Sequence, residues 1–116
     1  MNYRFSSGKW LLALMLLLVP SGFATAQTVL KDAEAYNHRG IAYVNKGQFD
    51  QAISDYNKAL EINPRYAGAY YNRGVAYYSR KDYDKAWDDV YKAQGLGFKI
   101  NPGFLKDLRE ASGREK

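Results

Sequence analysis

The sequence predicts an all-α protein: two helical hairpins stacked side by side and closed by one further helix. Three observations carry that reading. The chain repeats itself at a 34-residue offset. Ala33–Leu60 laid over Ala67–Gln94 gives twelve identical pairs of 28, among them Tyr36/Tyr70, Arg39/Arg73, Gly40/Gly74, Tyr43/Tyr77, Ala52/Ala86 and Asp55/Asp89. Self-similarity at this period marks a stacked helical array, in which each unit needs a neighbour to cover its apolar face. Within each copy, small and large residues recur at three- and four-residue steps, which puts them on one stripe of a helix. Finally, Gly47, Asn63-Pro64 and Asn101-Pro102 punctuate the copies where helices stop and start.

Residues 1–26 read as an address. Arg4 and Lys9 stand without an acid, Trp10–Val19 is an unbroken apolar run, Pro20–Gly22 breaks it, and Ala24-Thr25-Ala26 supplies small residues. This is the layout of a secretory signal peptide, with cleavage expected after Ala26 and an exported product, periplasmic or secreted. The competing reading is an uncleaved anchor. A spanning helix needs about 20 apolar residues, and Pro20 stops this run well short, so no membrane insertion is expected after cleavage.

Residues 27–32 form a short lead. In the first copy, 33–66, Tyr36, Arg39, Gly40 and Tyr43 form the stripe of one helix, with Asp32 placed to cap it and Gly47 to end it. Phe49, Ala52, Tyr56, Ala59 and Leu60 form the stripe of a second helix, about Phe49–Ile62, which Asn63-Pro64 closes while starting the next. Gly40 and Ala52 allow the two helices to approach closely, and the large rings fill the space around them, each contributing about 1.5–3 kcal/mol before entropy is subtracted.

The second copy, 67–100, predicts helices over Ala67–Arg80 and Tyr83–Gln94 with a turn at Lys81-Asp82. It departs where Gly47 becomes Lys81, Tyr56 becomes Val90 and Leu60 becomes Gln94, and four residues are inserted around Gly95–Lys99. In 101–116, Asn101-Pro102 opens a capping helix, about Pro102–Ala111. It carries Phe104, Leu105 and Leu108 on one face and Lys106, Asp107, Arg109 and Glu110 on the other, and a frayed tail follows from Ser112.

Composition narrows the function. At 116 residues one domain is expected. The net charge is +5, falling to +3 without Arg4 and Lys9, and the signs are mixed along the chain, so nucleic acid and anionic membrane are not expected partners. No cysteine occurs, which excludes disulfides, a thiolate zinc site, a cysteine nucleophile and a lipidated cysteine. His38 is the only histidine and has no second ligand or catalytic partner in the sequence, so no metal, cofactor or catalytic residue is expected. The acidic run of Asp82, Asp84, Asp88 and Asp89 lies among Lys81, Lys85 and Lys92 and reads as a solvated helix face. Calcium-loop spacing is absent.

The pattern of Tyr36, Arg39-Gly40, Tyr43, Ala52, Tyr56, Ala59 and Pro64, repeated as Tyr70, Arg73-Gly74, Tyr77, Ala86, Val90 and Ala93, resembles the tetratricopeptide-repeat (TPR) family. Arg39 and Arg73 stand where the family usually has Leu, and the second closing proline is displaced to Pro102. The resemblance covers Asp32 to about Ala111. It implies a TPR-type, right-handed stack whose first helices line a concave groove, and a scaffold or adaptor that holds a peptide or helix there.

On that reading the groove is lined by Asn37, His38, Ile41, Val44 and Asn45 from the first copy and by Tyr71, Asn72, Val75 and Tyr78 from the second, where the copies diverge most. Tyr71 and Tyr78 share a face, and either serve a ligand or pack against the terminal helix or a loop. Asn37 and Asn72 either bond a peptide backbone or are ordinary solvated side chains. His38 is expected to line the groove or surface. Arg39 and Arg73 are expected to run along the helix interface and end near Asp55 or Asp89. The family's two-carboxylate clamp for a chaperone tail is matched only by Asn72, because Asn37 and Ile41 occupy its Lys and Asn positions. The leading expectation is an exported protein-binding module. The alternative is a structural protein that self-associates through the uncovered end near Thr28–Ala35, giving a homo-oligomer.

Overall fold

The computed structural model describes residues 21–114. Among them are α1 (Ser21–Asn45), α2 (Phe49–Ile62), α3 (Ala67–Ser79), α4 (Tyr83–Gly95) and α5 (Pro102–Ser112), and no strand. α1 with α2 and α3 with α4 form two hairpins. α2 packs on α3, and α5 packs on α4. The result is the all-α stack that the repeat predicts.

Within each hairpin the closest approach is at the shared glycine. A Cβ on Gly40 would lie 2.5 Å from Cε1 of Tyr56, whose ring is buried against it. In the second hairpin Val90 replaces that ring, and a Cβ on Gly74 would instead meet the Ala86 carbonyl and Asp89 Cβ at 3.3 Å. Between hairpins, Ile53 packs with Ala76, and Leu60 with Ala69. The far end is sealed by Trp87, Val90, Ile100 and Leu108, with Trp87 Nε1 donating to Ser112 Oγ at 2.9 Å.

The turns follow local chemistry. Gly47 ends the first helix at φ +72°, as expected, and Lys81 takes the same left-handed position at φ +64° despite its side chain. Asn101 caps α5, its Oδ1 accepting from the amides of Gly103 and Phe104 at 2.8 and 3.3 Å.

Three expectations need correction. Asp32 does not cap a helix beginning at Ala33. α1 is already helical from Ser21, so residues 27–32 are helical and Asp32 is an exposed residue in the helix interior; Phe23–Arg39 contains neither Gly nor Pro to interrupt it. Asn63 does not cap α3. It ends α2, and its Oδ1 accepts from the Arg65 amide, closing a tight turn before a helix that begins only at Ala67. Ser112 is not the start of a frayed tail, because it holds Trp87, Gly113 supplies a left-handed C-cap, and Arg114 pairs with Asp84 at 2.7 Å. Of the signal-peptide reading of residues 1–26, residues 1–20 lie outside the described residues, and cleavage after Ala26 is not tested by the structure.

Candidate functional site

α1 and α3 are the first helices of the two hairpins, and they touch along one side of the stack. Their inner faces carry the residues singled out above. Asn37 is buried, 5% exposed, at the junction. It accepts from Asn72 Nδ2 at 3.0 Å, and its own Nδ2 donates to the Tyr66 hydroxyl at 3.2 Å. These two asparagines therefore tie the hairpins together rather than both standing free. Burial pushes the Tyr66 hydroxyl above its ordinary range and the charge of Glu34 adds to this, while the Asn37 bond opposes them.

Tyr71 and Tyr78 are half-buried against the last helix. The Tyr71 ring stacks on Phe98 at 5.0 Å and meets Phe104 edge-on at 5.6 Å, and Tyr78 meets the same Phe104 edge-on at 5.5 Å. Burial pushes the Tyr71 hydroxyl up. The aromatic stripe of α3 is thus partly spent on seating α5 and the inserted loop.

What remains open is centred on α1. His38, Ile41 and Asn45 are exposed, and Val44, Asn72 and Val75 are half-buried beside them. Two turns toward the start of α1, Leu30 and Glu34 form a cleft of about 240 Å³ with Asn63 and Tyr66. At the other end, Tyr71, Phe98, Lys99, Ile100, Asn101 and Pro102 line one of about 350 Å³. The inner face is a shallow, mostly uncharged trough. None of the nine residues assigned to it is Lys or Arg. Among the described residues no group of three or more His, Asp and Glu is placed to hold a metal.

The two arginines end where expected. Arg39 Nε and Nη2 donate to Asp55 at 2.6 and 2.7 Å, and Arg73 Nε and Nη2 donate to Asp89 at 2.8 and 2.7 Å. The Asp89 carboxyl is pushed up by burial, against the pull of Arg73's hydrogen bonds and charge. Burial would lower Arg73, but its bonds to Asp89 and the charges of Asp89, Tyr77 and Tyr70 together outweigh that and raise it. Arg73 has one hydrogen bond that Arg39 lacks among the described residues: its Nη1 donates to Asn57 Oδ1 at 2.8 Å, from α2 of the preceding hairpin.

Sequence reasoning missed Tyr66, Phe98 and Asn57, and placed Phe104 on the apolar face of the last helix without joining it to Tyr71 and Tyr78. The signal for two of them was present. Aligning the copies on their Asn-Pro pairs rather than at 34 residues sets Asn63-Pro64-Arg65-Tyr66 over Asn101-Pro102-Gly103-Phe104, and Tyr66 and Phe104 are the residues that seat the following helix against Asn37 and Tyr71.

Comparison with known proteins agrees with this architecture. Two family patterns match, one described as TPR repeat over residues 40–81 and one as tetratricopeptide repeat over residues 67–96. An uncharacterized protein of Methanocaldococcus jannaschii, MJ0572, is 43% identical over 37 residues, which are 32% of this chain and 43% of that protein. Among solved structures, the first TPR of Spaghetti (RPAP3) bound to the HSP90 peptide SRMEEVD superposes with a TM-score of 0.62 at 28% identity, covering 70% of this chain and 64% of that one. The chain therefore spans less than two thirds of either relative. Two nested hairpins at a 34-residue spacing, each closed at a shared glycine, and the repeat patterns over residues 40–81 and 67–96 support a tetratricopeptide-repeat protein.

Proposed function

We propose that the chain is a protein-interaction module that docks a segment of another polypeptide along the inner face of α1 and α3. The observation that carries the proposal is the exposed apolar and amide surface of His38, Ile41 and Asn45 beside Val75, set on a scaffold whose other inner-face residues are already engaged. An exposed strip of helix with apolar and amide side chains, in a chain whose fold is similar to one bound to a peptide, is suited to such a segment. The nine trough residues include no Lys or Arg, and Lys99 stands only in the cleft at one end, so the ligand is mostly apolar rather than a strongly acidic tail such as SRMEEVD. The site performs no chemistry. It aligns a partner.

The module acts outside the cytoplasm, on an envelope or secreted partner, if residues 1–26 are removed as the sequence suggests. Sequencing the N-terminus of the protein recovered from its host tests this. Gln27 is expected first, and a retained Met1 contradicts export by cleavage. The docking surface is tested by capture with the chain as bait. Ile41→Glu with Val75→Glu should weaken binding of the captured polypeptide by about thirtyfold, since two apolar contacts of about 1 kcal/mol each are lost. Asp88→Lys on α4 should not. Equal recovery with all three baits places docking elsewhere.

A further inference from the structure

The face of α1 that borders the trough matches a face that α3 buries beneath α2. On α3, Ala69 and Ala76 are fully buried beneath α2, and Asn57 closes over Arg73. The matching residues of α1 are Ala35, Ala42 and Arg39. Both alanines are exposed, and the Arg39 side chain is 54% exposed against 21% for Arg73. Among the described residues Arg39 Nη1 makes no hydrogen bond where Arg73 Nη1 has Asn57. Asp32, Ala35, Tyr36, Arg39 and Ile62 line an open cavity of about 530 Å³ at this face.

We propose that a second copy of this chain covers the face, α1 against α1, about a two-fold axis passing between Ala35 and Tyr36. Charge complementarity picks the occupant. Asp32 is exposed, has no ion-pair partner among the described residues, and lies seven residues before Arg39 on the same face, about 10 Å along the helix. Two antiparallel copies of α1 centred there set each Asp32 opposite the other chain's Arg39. The carboxylate then supplies the acceptor that Asn57 gives Arg73. The contact is self-complementary, so the two-fold axis forms it twice, and a closed pair results rather than a filament. Ala35 at the centre and Ala42 beyond it let the two helices approach, as Ala69 and Ala76 let α2 approach α3.

The test uses the protein as its host processes it. Sedimentation across concentrations should show one chain passing to two, with weaker association at high salt. Asp32→Arg, at a residue with no ion-pair partner among the described residues, should weaken association by about tenfold or more, through two lost pairs and the repulsion that replaces them. The chain has no cysteine, so a single one reports proximity. Ala35→Cys should form a disulfide-linked dimer on mild oxidation, and Asp88→Cys should not. A monomer at every concentration, a dimer indifferent to Asp32→Arg, or cross-linking from residue 88 and not from 35 each overturns the proposal. A helix of another protein on this face would show as a monomer whose bound partner is lost on Asp32→Arg, and that outcome also overturns it.

Discussion

Gly40→Ala is the sharpest probe of how the first hairpin closes. The added methyl would sit 2.5 Å from Cε1 and 2.9 Å from Cδ1 and Cζ of Tyr56. That ring is 1% exposed, so it has no open side to swing toward. Overpacking of this kind costs about 2–3 kcal/mol. Alanine returns about 1 kcal/mol of helix propensity, leaving a net loss of about 1–2 kcal/mol. The second hairpin, with Val90 in place of the ring, supplies the control. Tyr56→Val alone removes buried ring contacts at a cost of about 2–4 kcal/mol. In that background Gly40→Ala meets no ring and should become neutral or stabilising by up to about 1 kcal/mol. Urea unfolding followed by helical circular dichroism on the four proteins of this cycle gives the coupling directly. Gly40→Ala having the same effect with Tyr as with Val at position 56 would refute the close-approach argument.

Other predictions test the turns, the ion pairs and the titration. Lys81 holds a left-handed φ of 64°, so Lys81→Gly should stabilise by about 0.5–1 kcal/mol and Gly47→Ala should destabilise by about 1 kcal/mol in the same urea assay. Arg73→Met strands the buried Asp89 carboxylate and should cost about 3 kcal/mol, more than the same change at the exposed Arg39. Burial, with the charge of Asp55 adding to it, pushes the Tyr56 hydroxyl up to about 12, from 10.0 when unfolded. The folded chain therefore favours the neutral phenol. Its contribution is full below pH 10.0 and is lost as pH rises through about 12, on the order of 2–3 kcal/mol. Tyr56→Phe should flatten that alkaline fall in the unfolding midpoint, and an unchanged fall would contradict the assignment. The peptide SRMEEVD should give no measurable binding heat with this chain, because Asn37 and Ile41 stand where the clamp needs Lys and Asn.

The hairpins were legible because their physics is local. Glycine at 40 and 74, alanine at 52 and 86, and rings between them recur at helical spacing, and the arginine–aspartate pairs sit at the same offset in both copies. The start of α1 was not legible, because Asp32 suits a cap as well as an exposed helical position, and only an unbroken helix behind it decides. The inner face was half legible. Divergence between copies marked the right helices, but it does not separate side chains free for a ligand from those that join one hairpin to the next. Asn37 with Asn72, and Tyr71 with Phe98 and Phe104, are contacts between units, and the second depends on a four-residue insertion whose path periodicity does not encode.

The most direct measurement is photo-cross-linking in the native host from a reactive residue placed singly at Ile41 in the trough or at Asp88 on α4, both exposed. Strong adducts of one defined polypeptide from position 41, with little or nothing from position 88, are the result expected of a chain that holds its partner along the inner face of α1 and α3. Adducts from position 88 at equal or greater yield, or none from position 41, would contradict it.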